Sequence, residues 1–345
     1  MSIKYLSPST FIKYRKNCEW RVYLEKVKYK EETEAMARES SMAAATGTIF
    51  DAIVKGMLNR RVKVEEEIEK RVPKEYRSAR LVAEAMVEVY KKGPLEALKK
   101  EGIGYGNIDQ ETELQWDEPI LPNITNVTFS QSPMGSLGTI KTPSNDGISV
   151  SSGTNPANVA TQYKTWKSIL YGQPDMTLKN SEVIDWKCQG MWGRGTTPRP
   201  GFSRCFVYKK GHQFDGRDLG PSPDDGLTME SINEDWAVQL YLYNRLLGHH
   251  PGTTLRAGIE NICVDSSKGI WCASYRNVIS VAFQLKIEKE FHVAFDVLSR
   301  SNKDKSLVEP ASPTPYRCIT YGKLCGVARY CEAFQRLQLS GVRWE

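Results

Sequence analysis

Residues 171–190 read YGQPDMTLKNSEVIDWKCQG. Two acids, Asp175 and Asp185, and an amine, Lys187, stand among short β-prone runs of the kind that form buried strands. A charged side chain in a core costs on the order of several kcal/mol unless something pairs with it. The three therefore face solvent or form a site. Successive side chains of a strand leave opposite faces, so Asp185 and Lys187 project from the same one. SILYGQPDMTL and SEVIDWKC read as two strands joined by a turn at residues 179–181, a hairpin that brings Asp175 level with Asp185. Two carboxylates at one point repel, which raises one pKa unless a cation lies between them. Mg²⁺ takes one or two carboxylates together with water and substrate phosphate. A lysine beside it can hold an attacking water or stabilise charge developing on phosphorus. The chemistry this suggests is metal-assisted hydrolysis of a phosphodiester. Asp-x-Lys alone is very common, and a solvated strand face with alternating charge is its usual meaning. The preceding Gly172, the apolar approach SEVI and the ten-residue interval between the acids set this one apart.

The rest of the chain frames that hairpin. Its 345 residues allow one large domain with insertions or two smaller ones. A hydrophobic fraction of 40% and a charged fraction of 26% are those of a soluble globular protein. The opening MSIKYLSPSTF lacks the pattern of a signal peptide, and no apolar run nears the length of a membrane span, so an intracellular, cytoplasmic protein is expected. The net charge of +6 permits a polyanionic partner without requiring one.

Along the chain, SPST caps an amphipathic helix expected over residues 7–30, with Lys13, Arg15, Lys16 and Arg21 on its basic face. Residues 42–59 and 63–100 are helical in pattern, and alternation near residues 112–116 marks a strand. Residues 121–163, rich in Ser, Thr, Asn, Gly and Pro, read as an insertion, with a possible hairpin at residues 127–129 and 139–141. Residues 189–231 read as a second insertion or a substrate-facing loop. NEDWAVQLYLYNRLLG is a helix ending at Gly248. LRAGIENICVDSS and GIWCASYRNVIS are strands, VAFQLKIEKEFHVAFDVLSR is a long helix, and a cysteine-bearing tail closes the chain. This order implies an α/β domain around a small mixed sheet flanked by helices. It divides into a helical portion over 1–106, a core over 107–300 and a tail over 301–345.

Gly172-Gln173-Pro174-Asp175 followed by Val183-Ile184-Asp185-Trp186-Lys187 resembles the PD-(D/E)XK nuclease superfamily, and more narrowly its RecB/Cas4-like branch. SPSTFIKYRKNCEW resembles that branch's N-terminal segment, in which a Ser-Pro-Ser helix start precedes a lone cysteine. GTIFDAIVKG resembles its Gly-x-x-x-His helix, Gln239 and Tyr243 match its Q-x-x-x-Y helix, and C-x6-C-x5-C resembles its three terminal cysteines. PRPGFSR is loosely similar to phage-encoded members. These segments occur in family order across nearly the whole chain.

The resemblance implies a restriction-endonuclease-like core and a DNA nuclease. Asp175, Asp185 and the Trp186 carbonyl would ligate Mg²⁺ or Mn²⁺, Lys187 would assist the attacking water, and Gln239 and Tyr243 would line the site. Asp51 stands where the family has histidine; it is expected to keep the role as a harder oxygen ligand, the other reading being a solvent-facing residue beside a weakened site. Glu111 and Glu113 are lesser acidic candidates, more in keeping with a solvated strand face. Cys18 with Cys318, Cys325 and Cys331 would hold a [4Fe–4S] cluster or, alternatively, Zn²⁺, stapling the tail to the N-terminus. Lys13, Arg15, Lys16, Arg21, Arg194, Arg199, Arg204, Lys209 and Lys210 are candidate DNA contacts, and Trp192, Phe202 and Tyr208 candidate base-stacking residues. The expected activity is exonucleolytic, on single strands or DNA ends, in phage recombination, repair or replication, with a helicase or recombination protein as a possible partner. A DNA-binding accessory subunit with a vestigial site is the competing class.

Overall fold

The computed structural model describes residues 3, 5–16, 18–31, 33, 41–58, 62–100, 114–115, 169–172, 174–178, 182–189, 198–208, 217–224, 226–265, 269–301, 304, 307–308, 318–320 and 323–339. The 121–163 insertion, Glu111, Glu113, Trp192, Arg194, Lys209, Lys210 and the turn at 179–181 lie outside the described residues.

Ser7 caps helix α1 (Pro8–Lys16), its Oγ accepting from the Thr10 amide at 3.2 Å. The expected single helix over 7–30 is broken. Cys18 is extended, at φ −165° and ψ 122°, and α2 (Glu19–Tyr23) and a π-helical turn (Leu24–Lys28) follow. Phe11, Trp20, Val22, Tyr23, Leu24 and Val27 are all buried. On one straight helix at about 100° per residue they would spread over more than half of the circumference, wider than one apolar stripe, and the turn lets the chain bury them together.

Helices α3 (Met42–Leu58), α4 (Val64–Arg71), α5 (Arg80–Lys92) and α6 (Pro94–Lys100) complete the helical portion. Strand β1 (Leu114–Gln115) pairs with β2 (Tyr171–Gly172). The central sheet has six strands in the order β3 (Met176–Thr177), β4 (Val183–Gln189), β7 (Leu255–Asp265), β8 (Gly269–Ile279), β5 (Arg204–Tyr208) and β6 (Arg217–Asp218). Only β4 and β7 run parallel; every other pairing in this sheet is antiparallel. Between them the chain passes through α7 (Met229–Ile232) and α8 (Glu234–Leu246), and α9 (Val281–Arg300) follows β8. The architecture is mixed α/β, as the element order implies. The 189–231 stretch, read as an insertion, is corrected in part: it supplies β5 and β6 to the central sheet. Its Gly- and Pro-rich flanks masked a five-residue strand whose Cys205 and Tyr208 are buried.

Strand periodicity divides the core cleanly. Odd-numbered Val183, Cys205, Ala257, Ile259, Trp271, Ala273 and Tyr275 pack with α1, α2, α8 and α9. Even-numbered Ile184, Trp186, Tyr208, Ile262 and Cys272 pack with α3 and α5. The sheet is thus covered on both faces, and β7 and β8 accordingly show no clean alternation of apolar and polar residues.

Helix α8 is fixed to α9 by a buried charge network. Arg245 Nη2 lies 3.2 Å from Glu288 Oε1, the Tyr241 hydroxyl donates to Glu288 Oε2 at 2.5 Å, and Arg245 also donates to the His249 carbonyl. Both Arg245 and Glu288 are 1% exposed. Near the C-terminus come β9 (Ile319–Thr320), β10 (Lys323–Leu324) and α10 (Glu332–Leu339). Tyr330 stacks on Tyr29 at 4.4 Å, and Lys28 Nζ approaches Glu332 at 3.9 Å. Among the described residues no helix is long and apolar enough to cross a membrane.

Removing one member of a buried ion pair strands the other charge. Glu288→Ala is expected to destabilise the protein by about 3–5 kcal/mol, measured by urea denaturation. A loss below about 1 kcal/mol would show that the pair does not anchor α8.

Candidate active site

Strand β3 pairs with β4 only at Met176↔Ile184 and Thr177↔Val183. Continuing that register places Asp175 opposite Asp185, where β3 ends and the outer edge of β4 opens. The Trp186 amide donates to Asp175 Oδ2 at 2.9 Å. In a strand a residue's N–H and C=O point to the same side, so the Trp186 carbonyl also faces this opening. The Trp186 indole packs on the other side, against Phe50, and donates to the Tyr90 hydroxyl at 3.0 Å. That anchor holds the strand still beside Asp175.

Asp185 and Lys187 leave the odd face of β4 and meet α8. Lys187 Nζ bonds the Asp185 carboxylate and donates to Gln239 Oε1 at 2.8 Å. Gln239 Nε2 donates to Asp185 Oδ1 at 3.1 Å and to the Tyr243 hydroxyl at 3.0 Å. One amide therefore bridges acid, amine and phenol. Gln239 and Tyr243 are one helical turn apart and share a face, set by the Asn233 cap, whose side chain accepts from the Asp235 and Trp236 amides. The structure also explains Gly172: a Cβ there would sit 2.9 Å from Tyr243 Cε1 and 3.2 Å from Leu246 Cδ1. The glycine lets α8 approach β2.

The opposite layer contributes Asp51 from α3. It is not a solvent-facing residue: its side chain keeps 15% of its surface. Lys55, one turn on, reaches both Asp51 Oδ1 at 2.9 Å and Asp175 Oδ1 at 3.7 Å. Arg71 Nη1, from α4, donates to Asp51 Oδ2 at 3.2 Å. Lys55, Arg71 and Tyr90 were not identifiable as site residues from sequence. Lys55 alone left a trace, lying four residues after Asp51 on a helix.

Electrostatics ties the two layers together. Burial, and then the charge of Asp185, raise the Asp175 pKa from 3.8 to about 7. Burial and the Asp175 charge also raise Asp51. Burial disfavours the charged form of Lys187, but the Asp185 carboxylate outweighs it and the pKa is raised. Lys187 is thus an ammonium, able to donate hydrogen bonds but not to take a proton. Burial and the nearby Asp185 charge raise the Tyr243 phenol, which stays protonated.

Three carboxylates from α3, the β3 end and β4, with the Trp186 carbonyl, are hard oxygen donors whose chemistry fits Mg²⁺ or Mn²⁺. As the side chains stand, lysines and an arginine neutralise the acids. Among the described residues no group of three or more His, Cys, Asp or Glu closes around one point as a metal shell.

The cysteine set is partly assembled. The Cys325 amide donates to the Cys318 carbonyl at 2.6 Å, and Cys331 follows one 3₁₀ turn later. Cys18, Cys325 and Cys331 all pack, partly buried, against the same hydrophobic core. None of the four is in a disulfide, and all are partly exposed. Four sulfur donors suit an iron–sulfur cluster or Zn²⁺.

The proposed DNA-contact residues fare differently. Arg15 is held between Glu234 at 2.7 Å and Glu290 at 2.6 Å with 12% of its side chain exposed, so it is a structural tie between helices rather than a free basic group. Lys16 pairs with Asp235 at 2.7 Å, Lys13 with Glu25 at 3.5 Å and Arg21 with Glu25 at 2.7 Å. Arg199 lies 5.5 Å over the Trp236 ring, and Arg204 approaches Asp218 at 3.4 Å. Tyr208 is buried and Phe202 packs edge-on to Tyr275, so neither offers a free face for base stacking. Sequence reasoning took these residues as exposed because β5 was read as loop.

No family model, curated protein or solved structure matches this chain.

Two outcomes are expected. The raised Asp175 pKa favours the folded state fully below pH 3.8, and that contribution is lost as pH rises through about 7. In metal-free protein Asp175→Asn should therefore gain stability relative to wild type as pH rises from 4 to 8, read from urea midpoints; a pH-independent difference would refute the shift. Gly172→Ala should destabilise the fold by about 1–3 kcal/mol by pushing Tyr243 away, and a thermally neutral variant would refute the close approach.

Proposed function

We propose that this chain is a metal-dependent deoxyribonuclease of the RecB/Cas4-like kind, hydrolysing phosphodiester bonds at single strands or DNA ends. One observation carries the reading: Asp51 from α3, Asp175 from the start of β3, and Asp185 and Lys187 from β4 meet beside the outer edge of β4, with Gln239 and Tyr243 completing the wall. Four residues that a resemblance assigned to one reaction are neighbours.

Asp51, Asp175, Asp185 and the Trp186 carbonyl would hold Mg²⁺ or Mn²⁺, which when bound polarises the phosphoryl oxygens and lowers the pKa of water. Lys187 remains an ammonium. It would orient the attacking water through its lone pairs and offset negative charge growing on phosphorus. Gln239 holds Lys187 and Asp185 at a fixed separation, so neither needs to reorganise as charge develops. Tyr243, protonated, can donate to a phosphate oxygen. Cys18, Cys318, Cys325 and Cys331 would hold the [4Fe–4S] cluster, or Zn²⁺, in a structural role joining the tail to the first helices. Recombination, repair or replication of DNA, in a phage setting with a helicase or recombination partner, is the proposed context.

The competing reading is a DNA-binding accessory subunit with a weakened site. It draws on Asp51 being held by Lys55 and Arg71.

Protein purified without oxygen should cleave end-labelled DNA with Mg²⁺ or Mn²⁺, and Lys187→Ala should lose about 10²–10³-fold in rate. The product ladder would separate exonucleolytic from endonucleolytic action. Tight DNA binding with no cleavage on any substrate would favour the accessory subunit.

A further inference from the structure

We propose that Lys55 is a built-in counterion that occupies the cation position between Asp51 and Asp175, and that a divalent ion must displace it to bind. This rests on the metal-dependent reading above. Lys55 Nζ lies 2.9 Å from Asp51 Oδ1 and 3.7 Å from Asp175 Oδ1, carboxylates from two different elements. Its side chain is 13% exposed, so the ammonium is committed to these partners and not to solvent. Helical spacing explains the reach: Lys55 is one turn beyond Asp51 on the same face of α3.

The charge count makes displacement necessary. Asp51, Asp175 and Asp185 carry three negative charges, and Lys55, Lys187 and Arg71 carry three positive ones. With all three acids ionised the metal-free site balances in charge, and the three cations offset part of the repulsion among the acids. A divalent ion drawn to Asp51 and Asp175 meets an ammonium already between them, and like charges at such distances repel strongly in a partly buried site. Lys187 is engaged by Asp185 and Gln239 on the other wall, and Arg71 approaches Asp51 from the outer side with 44% of its side chain exposed. Lys55 is the cation in the way. Its four-carbon stem lets it swing out along α3 without moving the helix. Lys55 therefore sets metal affinity: it preserves the site's geometry without metal and weakens metal binding by competition. It is a positioning residue, not a catalytic one.

The test is Mn²⁺ titration of metal-free protein by electron paramagnetic resonance and calorimetry, with thermal melting alongside. Lys55→Met keeps the length and removes the charge. It should bind Mn²⁺ about tenfold more tightly or better, melt at a lower temperature without metal and gain more on adding it. Lys55→Arg should retain wild-type affinity to within a few-fold, and Lys55→Gln serves as the neutral variant if Lys55→Met does not fold. Unchanged or weaker Mn²⁺ binding in the neutral variants, with wild type still binding, overturns the counterion role and leaves the metal reading standing. No Mn²⁺ binding by wild type or any variant, or binding that Asp185→Asn leaves unchanged, overturns both.

Discussion

The structure depends on holding three carboxylates together at the edge of one strand. Asp185 is 1% exposed, Asp175 accepts a hydrogen bond from the Trp186 amide, and Asp51 arrives from the opposite layer. Such a cluster is expensive in any partly buried setting unless opposite charge sits inside it. Lys55, Lys187 and Arg71 provide that charge, each from a different place in the chain. The arrangement is therefore a constraint on α3, α4, β4 and α8 at once, since moving any of them unbalances the rest.

The scaffold suits that demand. The acids stand on or beside β4, which is second from the edge, paired along its length with β7 and only briefly with β3. The short edge strand leaves Asp185 and Trp186 beside Asp175 rather than beside a paired strand, while the long inner pairing with β7 keeps the floor rigid. Gly258, opposite Ile184, has no room for a side chain: a Cβ would lie 2.4 Å from Ile184 Cδ1. Tight packing directly before Asp185 limits how far that carboxylate can drift. The Tyr241–Glu288–Arg245 network does the same for the helix that carries Gln239 and Tyr243.

Much of this was legible before any coordinates. The hairpin, the long strands β7 and β8, and helices α8 and α9 carry local signals: alternation, an Asn233 cap, a glycine at φ +88° after α8. The pairing of Asp175 with Asp185 followed from counting across a turn. Strand β5 was missed because its flanks are Gly- and Pro-rich, so its five residues had no periodic context. The break at Cys18 was missed because amphipathic pattern alone does not show that six buried residues point too many ways for one helix. Arg15 read as a basic surface because sequence spacing cannot reveal Glu234 and Glu290 more than 200 positions away.

Sequence by itself determined which residue types could do chemistry here and which pairs of them share a local element. Asp185 and Lys187 face one way because strands alternate, and Gln239 and Tyr243 because helices repeat every 3.6 residues. Only the tertiary structure decided that α3 and α8, on opposite faces of the sheet, bring Asp51 and Gln239 to the Asp175–Asp185 pair, and that Lys55 bridges Asp51 and Asp175. Local periodicity governs direction within an element. The separation between charges on different elements is set by how the layers pack, and nothing in the neighbouring residues records it.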